Sequence, residues 1–304
     1  MKFGCEMWYI TNEELIFWRL VVKIAILTDT NSGIMAQEAE QLSVYVMPMP
    51  FFIDGQLYFE GVNLTQEEFF VKQASGAEIT TSMPSPADVM DKWDELLKSH
   101  EQVLYLPMSS GLSSSCSTAA SLAQDYEGKV FVVDNKRISV PLREAIYNAI
   151  DLVKQGRDAA EIKEILESDA LNGTVYLGVS TLKYLQKGGR VTPAAALIGT
   201  ALNIKPVLKL DGGKLDTYAK VRGSKQMEQK LIEAAKSELE RHNGAECLIR
   251  VAYSGDPVLG QEWIAKVQEA FPEQEVYGDP LGLSIACHTG PGAFGITCIK
   301  KLKI

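Results

Sequence analysis

The sequence predicts an α/β protein of two domains, a parallel α/β layer followed by a mixed, largely antiparallel α/β unit. Three observations predict it. Val103-Leu104-Tyr105-Leu106 and Val130-Phe131-Val132-Val133 are short, nearly continuous apolar runs with helical stretches between them, the pattern of strands covered on both faces. After Asn172-Gly173 the grammar changes to hairpin signals. A chain of 304 residues, 46% hydrophobic, also carries more apolar material than one core of ordinary size needs. The expected division is an N-terminal extension at 1–22, a first domain at 23–171 and a second at 172–304.

The extension holds Trp8, Phe17 and Trp18 but also Glu6, Glu13 and Glu14, with no sustained apolar stretch and no small-residue cleavage site. It reads as neither signal peptide nor membrane span, and as an added amphipathic helix or a start placed too far upstream. Lys23 to Thr28 reads as the first core strand. Asp54-Gly55 between Phe51-Phe52-Ile53 and Leu57-Tyr58-Phe59 predicts a small hairpin, and Thr65 with Glu68 a capping box. Ser85-Pro86 with Asp88 opens the next helix.

In the second half Thr174 to Val179 reads as a strand, and Lys205–Leu210 with Lys214–Tyr218 as antiparallel partners about Asp211-Gly212-Gly213. A helix from Ser224 to about His242, a strand from Cys247 to Tyr253, a helix from Pro257 to Phe271 and a strand around Gly295 to Ile299 complete the chain. No fixed-period repeat and no low-complexity tract is present.

A formal net charge of −9 argues against nucleic acid as the main partner, since phosphate binding needs dense Lys and Arg. The cysteines Cys5, Cys116, Cys247, Cys287 and Cys298 are odd in number and lack CxxC spacing. They predict reduced thiols in a cytoplasmic protein, with no disulfide frame and no metal site.

Chemistry concentrates in two hydroxyl-rich loops, Thr80-Thr81-Ser82-Met83-Pro84-Ser85 and Ser109-Ser110-Gly111-Leu112-Ser113-Ser114-Ser115, each of which opens a helix. A helix start has unpaired N–H groups and partial positive charge, so hydroxyls added there build a receptor for an oxyanion such as a carboxylate. Against this stands plain capping, which accounts for Ser85. Lys187-Gly188-Gly189-Arg190 offers Arg190 for a polar contact at the domain junction or a solvated helix end. His288-Thr289-Gly290-Pro291-Gly292 places a histidine in a Gly and Pro loop before the last strand. His100 and His242 close helices and read as dipole-complementing surface groups. Asp134-Asn135 reads as a turn.

These residues carry a resemblance. The chain resembles the DegV family, the bacterial fatty-acid-binding family that includes the lipid-presenting subunit of fatty acid kinase. The likeness runs from Lys23 to Ile304 and rests on Thr28-Asp29-Thr30-Asn31-Ser32, Thr81-Ser82-Met83-Pro84-Ser85, Ser109-Ser110-Gly111-Leu112-Ser113, Gly188-Gly189-Arg190, Asn203-Ile204-Lys205-Pro206, Val221-Arg222-Gly223 and His288-Thr289-Gly290-Pro291-Gly292.

The resemblance implies a two-domain DegV-like fold with a buried fatty acid whose carboxyl group is held by first-domain hydroxyls and presented to a separate kinase. The protein would then be a non-catalytic subunit with no cofactor, touching the membrane surface transiently to collect lipid. By position, Thr81, Ser82, Ser113 and His288 would hold the carboxyl group. Arg190 would lie at the pocket mouth, with Ser109, Ser110 and Ser115 behind the direct contacts, and Arg222 would meet the kinase. The chain departs from the family pattern at Ser114-Ser115, where Gly-Thr is usual, and at Met83, where Gln is common.

A lipid suits the composition. At roughly 0.8 kcal/mol per buried CH₂, about a dozen methylenes contribute on the order of 10 kcal/mol before association costs. The alternative reading is a serine-type lipid hydrolase using Ser113, His288 and Asp29, although no GxSxG elbow is present. A kinase acting alone is excluded by the lack of GxxxxGK[ST] or a kinase signature set.

Overall fold

The computed structural model describes residues 22–196, 204–243 and 246–303. The 1–21 segment with its aromatics, Cys5 and Asn203 of the Asn203–Pro206 motif lie outside the described residues.

The parallel layer has strand order β2-β1-β6-β7, formed by β1 (Ile24–Asp29), β2 (Tyr45–Met47), β6 (Gln102–Leu106) and β7 (Val130–Val132). Alternate β1 side chains enter different cores, which is why the run is apolar throughout. Ile26 packs with Leu104, Leu142 and Ile146 under α1 (Ala36–Leu42), α5 (Val140–Lys154) and α6 (Ala159–Ser168). Ala25 and Leu27 pack with Trp93 and Tyr105 under α3 (Pro86–Leu97) and α4 (Ser115–Leu122). In α3 the buried residues Val89, Trp93 and Leu96 recur at helical spacing. Ser85 caps the helix by accepting from Asp88 N at 3.1 Å, which stabilises it by about 1 kcal/mol.

A small antiparallel sheet of order β4-β3-β5 joins β3 (Pro50–Ile53), β4 (Gln56–Phe59) and β5 (Ile79–Thr81), with the two-residue Asp54–Gly55 turn where expected. The capping box of α2 (Gln66–Ala74) is present in both directions between Thr65 and Glu68.

The third sheet is mixed, of order β10-β9-β8-β13-β11-β12, from β8 (Gly173–Gly178), β9 (Ile204–Leu210), β10 (Asp216–Arg222), β11 (Cys247–Ser254), β12 (Val276–Pro280) and β13 (Ala293–Lys300). All its pairings are antiparallel except β11 with β12. One face carries α9 (Gly223–Arg241) and α10 (Pro257–Ala270) over Ile249, Val251, Phe294 and Ile296. The other turns Leu177, Val179, Leu208 and Leu210 toward Met49, Met108 and Ile138 of the parallel half. α7 (Lys183–Gly188) and α8 (Pro193–Ala196) lie beside this second face.

The hairpin after β9 departs from expectation. β10 begins at Asp216, with a register shift between Thr217 and Ala219, and Leu215 bridges to Val191 instead of pairing with β9. The stretch between Phe271 and His288, to which the sequence assigns no element, forms β12 and most of α11 (Leu283–Thr289). His288 is therefore corrected from a loop residue to the last turn of a helix. A seven-residue helix between Gly282 and Gly290 is too short to show its period, and Gly278 and Pro280 disguise an edge strand. α11 packs Leu283, Ala286 and Cys287 on Phe51, Ile53 and Phe69 of the small sheet.

The segment linking β7 to α5 is held by a buried ion pair. Arg137 Nη2 donates to Asp169 Oδ2 at 2.8 Å and to its carbonyl at 2.9 Å, both residues being buried. Asp169→Ala should destabilise the protein by about 3–5 kcal/mol in urea titration, because it strands a buried cation. A loss below about 1 kcal/mol would show that water reaches Arg137.

Candidate functional site

A cavity lies at the junction of the two halves, enclosing about 920 Å³ not filled by protein atoms, counted to its open end. About 100 Å³ of it is open to the centres of water-sized spheres. The first half contributes Met49, Thr81, Met108, Leu112, Ser113 and residues 138–141. The second half contributes Leu177, Leu185, Arg190, Leu210, Ser284, Ile285 and His288, together with Ala252, Gly295 and Thr297 on the floor of the mixed sheet.

Register explains the floor. Gly295 pairs with Leu177 on one side and Ala252 on the other. The atom nearest to a Cβ built at Gly295 is Ala252 Cβ at 3.5 Å, so the space above the central strand exists because two neighbouring positions are small.

Four wall positions are tied to one buried hub at the end of β1. Asp29 Oδ1 accepts from Asn31 N and Nδ2, both at 2.9 Å, and Asp29 Oδ2 accepts from Met108 N at 2.9 Å. Asn31 also accepts from Ser284 Oγ through its side chain and from Ser139 N through its carbonyl at 2.8 Å. Thr30 Oγ1 accepts from Met49 N at 3.1 Å. Met49, Met108, Ser139 and Ser284 all line the cavity. Burial pushes Asp29 up to about 6 against these donors. Ser139 is held at φ +57°, ψ −138°, strained for a side chain, and starts α5 against the cavity.

The polar end gathers four residues named from sequence. Thr81 Oγ1 and His288 Nε2 are 2.9 Å apart, joining the end of β5 to α11. Ser113 Oγ lies 2.9 Å from Ser115 Oγ and accepts from Ser115 N at 3.2 Å, so its hydroxyl also closes the start of α4. Arg190 donates from Nε to Leu112 O at 3.2 Å and from Nη1 to Gly188 O at 2.5 Å, crossing from one half to the other. Thr81, Ser113, Arg190 and His288 all line the cavity. Gly188 is required there, because a Cβ would collide with the His288 imidazole.

The other expected residues fall elsewhere. Ser82 is not in the cavity wall. Its hydroxyl donates to Met83 O at 3.0 Å, and it lines a separate groove with Met47, Phe52 and Leu57. Ser82 directly follows β5, and its N–H still donates to Pro50 O at 3.1 Å, so the alternation of the strand carries its side chain to the side opposite Thr81. Ser109 Oγ donates to Gly212 O at 3.2 Å, and Gly111 meets Gly212 and Gly213 so closely that a Cβ would strike their backbone. That loop docks the halves together. Ser110 is held by Asp134 and Lys136, at 3.3 Å to its N–H and 2.5 Å to its hydroxyl. Ser115 is buried behind Ser113. Ser114 takes φ −75°, ψ −4°, which any residue adopts, so the departure from glycine is accommodated. Arg222 is exposed at the end of β10, and its N–H donates to Gln226 Oε1 at 2.9 Å.

Sequence reasoning missed Met49, Met108, Ser284, Ile285, Gly295 and Thr297, and also Arg250, whose guanidinium pairs with Glu144. For Arg250, Gly295 and Thr297 the only signal was strand alternation in segments 247–254 and 293–300, which does not say which face meets the other domain; Met49 and Met108 lie in connections beside strands, and Ser284 and Ile285 lie on the short helix α11. The hydrolase arrangement is not assembled among the described residues. Asp29 is engaged by Asn31 and Met108, Ser113 by Ser115, and no carboxylate faces His288.

A family model described as "Uncharacterised protein, DegV family" matches residues 23–301. The chain belongs to the DegV family. A DegV domain-containing protein of Deinococcus radiodurans is 33% identical over 279 residues, 90% of this chain and 98% of that protein. A DegV family protein from Thermus thermophilus, whose structure is described by its fatty acid binding, is 30% identical with TM-score 0.82 over 92% of this chain and 100% of that one. A fatty acid binding DegV family protein from Streptococcus agalactiae is 29% identical with TM-score 0.83, covering 92% and 99%. The two-domain α/β architecture is thus the DegV fold.

Burial first, and then the Arg190 cation, push His288 down to about 4. The imidazole is therefore neutral at physiological pH, and with a depressed value its contribution to stability is present above about 6.5 and lost as pH falls through about 4. An NMR titration of the lipid-free protein should place the His288 midpoint near 4. A midpoint near the ordinary histidine value would show the ring to be solvated.

Proposed function

We propose that this protein binds one long-chain fatty acid, buries its tail in the junction cavity and presents its carboxyl group to a separate kinase that forms the acyl phosphate. The observation that carries the reading is the composition of the cavity. Met, Leu, Ile, Val and Ala side chains line most of it, and Thr81, Ser113, Arg190 and His288 converge in its wall. Members of the family at 26–30% identity, including a fatty acid binding protein from Bacillus subtilis at 26% and TM-score 0.82, support the ligand class.

The geometry suits a carboxylate. With neutral His288 donating from Nε2 to Thr81 Oγ1, the Thr81 hydroxyl is free to donate its proton to a carboxylate oxygen. Ser113 Oγ supplies a second donor. Arg190 contributes a cation at the same end, so the head group is held ionised by more than alcohols alone. None of these groups is an activated nucleophile or a phosphate cradle, which is why phosphoryl transfer falls to a partner. Arg222, exposed at the opposite edge of the mixed sheet from β12, is the proposed contact for that kinase. The setting is the cytoplasm, with lipid collected by brief contact with the membrane surface; no helix of the described residues is long and apolar enough to cross a membrane.

Native mass spectrometry of the purified protein should show one retained fatty acid. Thr81→Val and Ser113→Ala should each weaken retention by about 1.5–3 kcal/mol, roughly ten- to a hundredfold, by removing a hydrogen bond to a charged group. Gly295→Leu should fill the tail space and abolish retention in a folded protein. Full lipid retention in Gly295→Leu would remove the acyl chain from this cavity. Arg222→Glu should leave lipid retention intact while weakening association with the kinase at least tenfold in a pull-down titration, and unaltered association would move the docking surface elsewhere.

A further inference from the structure

The face of the mixed sheet turned away from the cavity carries a cluster that lipid binding does not use. Cys247 on β11 and Cys298 on β13 lie on one face of neighbouring antiparallel strands. Cys247 is in register with Lys300 and Ile249 with Cys298, so the two thiols are diagonal neighbours. His242 sits at the C-terminal cap of α9, which packs on that face, and its N–H donates to Glu238 O at 3.1 Å. One ligand atom from each of His242, Cys247 and Cys298 lies within 4.8 Å of the other two.

We propose that His242, Cys247 and Cys298 form a binding site for one soft transition-metal ion, zinc(II) by the class of its ligands. Two thiols and an imidazole are a donor set selective for such ions, and the fourth tetrahedral position is left for water on the half-exposed His242 side. His242 Nε2 is buried and has no hydrogen-bond partner among the described residues, so an imidazole nitrogen is committed to the cluster without satisfaction. Both thiols are free and buried, with Cys298 wholly shielded from solvent.

Charge balance favours occupation. A divalent ion with two thiolates and a neutral imidazole is electrically neutral, which an apolar surrounding tolerates. Two thiolates without the ion would not be tolerated, and burial accordingly raises both thiols above their ordinary value. Burial and the neighbouring Arg241 lower His242. Binding would release both thiol protons to solvent, so affinity should rise with pH. Glu238, one turn before His242, is hydrogen-bonded by Tyr176 OH at 2.7 Å and paired with Arg241, so its charge is largely spent, and Arg241 and Lys300 are the cations nearest the cluster.

The test is a titration of the full, reduced chain with zinc(II) against a chromophoric chelator. One ion per chain is expected, with affinity increasing with pH. Cobalt(II) substitution should give thiolate-to-metal charge-transfer absorption. Cys298→Ser and His242→Gln should each weaken zinc binding by roughly tenfold or more. His242→Gln alters a half-exposed cap and leaves the core intact, so it decides the matter if the cysteine variant does not fold. Absence of stoichiometric uptake by the wild-type chain, or unchanged affinity in His242→Gln, would overturn the assignment.

Discussion

Asp29 is wholly buried, and its carboxylate accepts three N–H groups at 2.9 Å, two of them from Asn31 and one from Met108. Around this short turn at the end of β1 the cavity takes shape. An acid buried this deeply is costly unless its lone pairs are engaged, so the donors cannot drift without exposing the charge. Because Asn31 spends its own amide and carbonyl oxygens on Ser284 and Ser139, and Thr30 holds Met49, four segments far apart in the chain are set at fixed distances. Those same segments are cavity walls. The Thr28–Ser32 motif, which offers no chemistry to a ligand, thus positions the residues that do.

The two halves meet through backbone as much as side chain. Gly111 touches the Gly212–Gly213 turn and Ser109 donates to Gly212 O, while within the second half Gly188 admits the His288 ring. Arg190 bonds carbonyls on both sides of the same seam. At Gly111 the approach is to main-chain atoms, and at Gly188 it is to a side-chain ring. Hydroxyl-rich loops that read from sequence as a single receptor therefore divide their labour. Thr81 and Ser113 face the cavity, while Ser109 and Ser110 lock the loop that carries Ser113.

Electrostatically the polar end is a weak cationic site made from a neutral histidine, two alcohols and one arginine. Desolvation keeps His288 uncharged and leaves Arg190 as the formal charge among the four, an arrangement compatible with the carboxylate proposed above. The mixed sheet separates this environment from its reverse face, where Cys247 and Cys298 are packed with the apolar core of α9 and α10 and His242 caps α9 beside them.

Local pattern sufficed for the elements whose signal lies within a few residues. The doubly buried strands, the Asp54–Gly55 hairpin, the Thr65 capping box and the Ser85 cap all depend on neighbours near in sequence, as does the helix beginning at Gly223. Family motifs pointed to Thr81, Ser113, Arg190 and His288. What they could not convey is direction. Ser82 turns away from its neighbour's site, His288 rides on a helix too short to show a period, and the floor around Gly295 and Ala252 was invisible because small residues leave no hydrophobic mark. The cysteine spacing looked inert for the same reason, since 51 positions of chain separate thiols that strand register makes diagonal neighbours. Composition and periodicity, being local, determined the layers and their caps; the cavity, its polar end and the thiol cluster were decided only by the packing of one sheet face against another, which no short stretch of chain encodes.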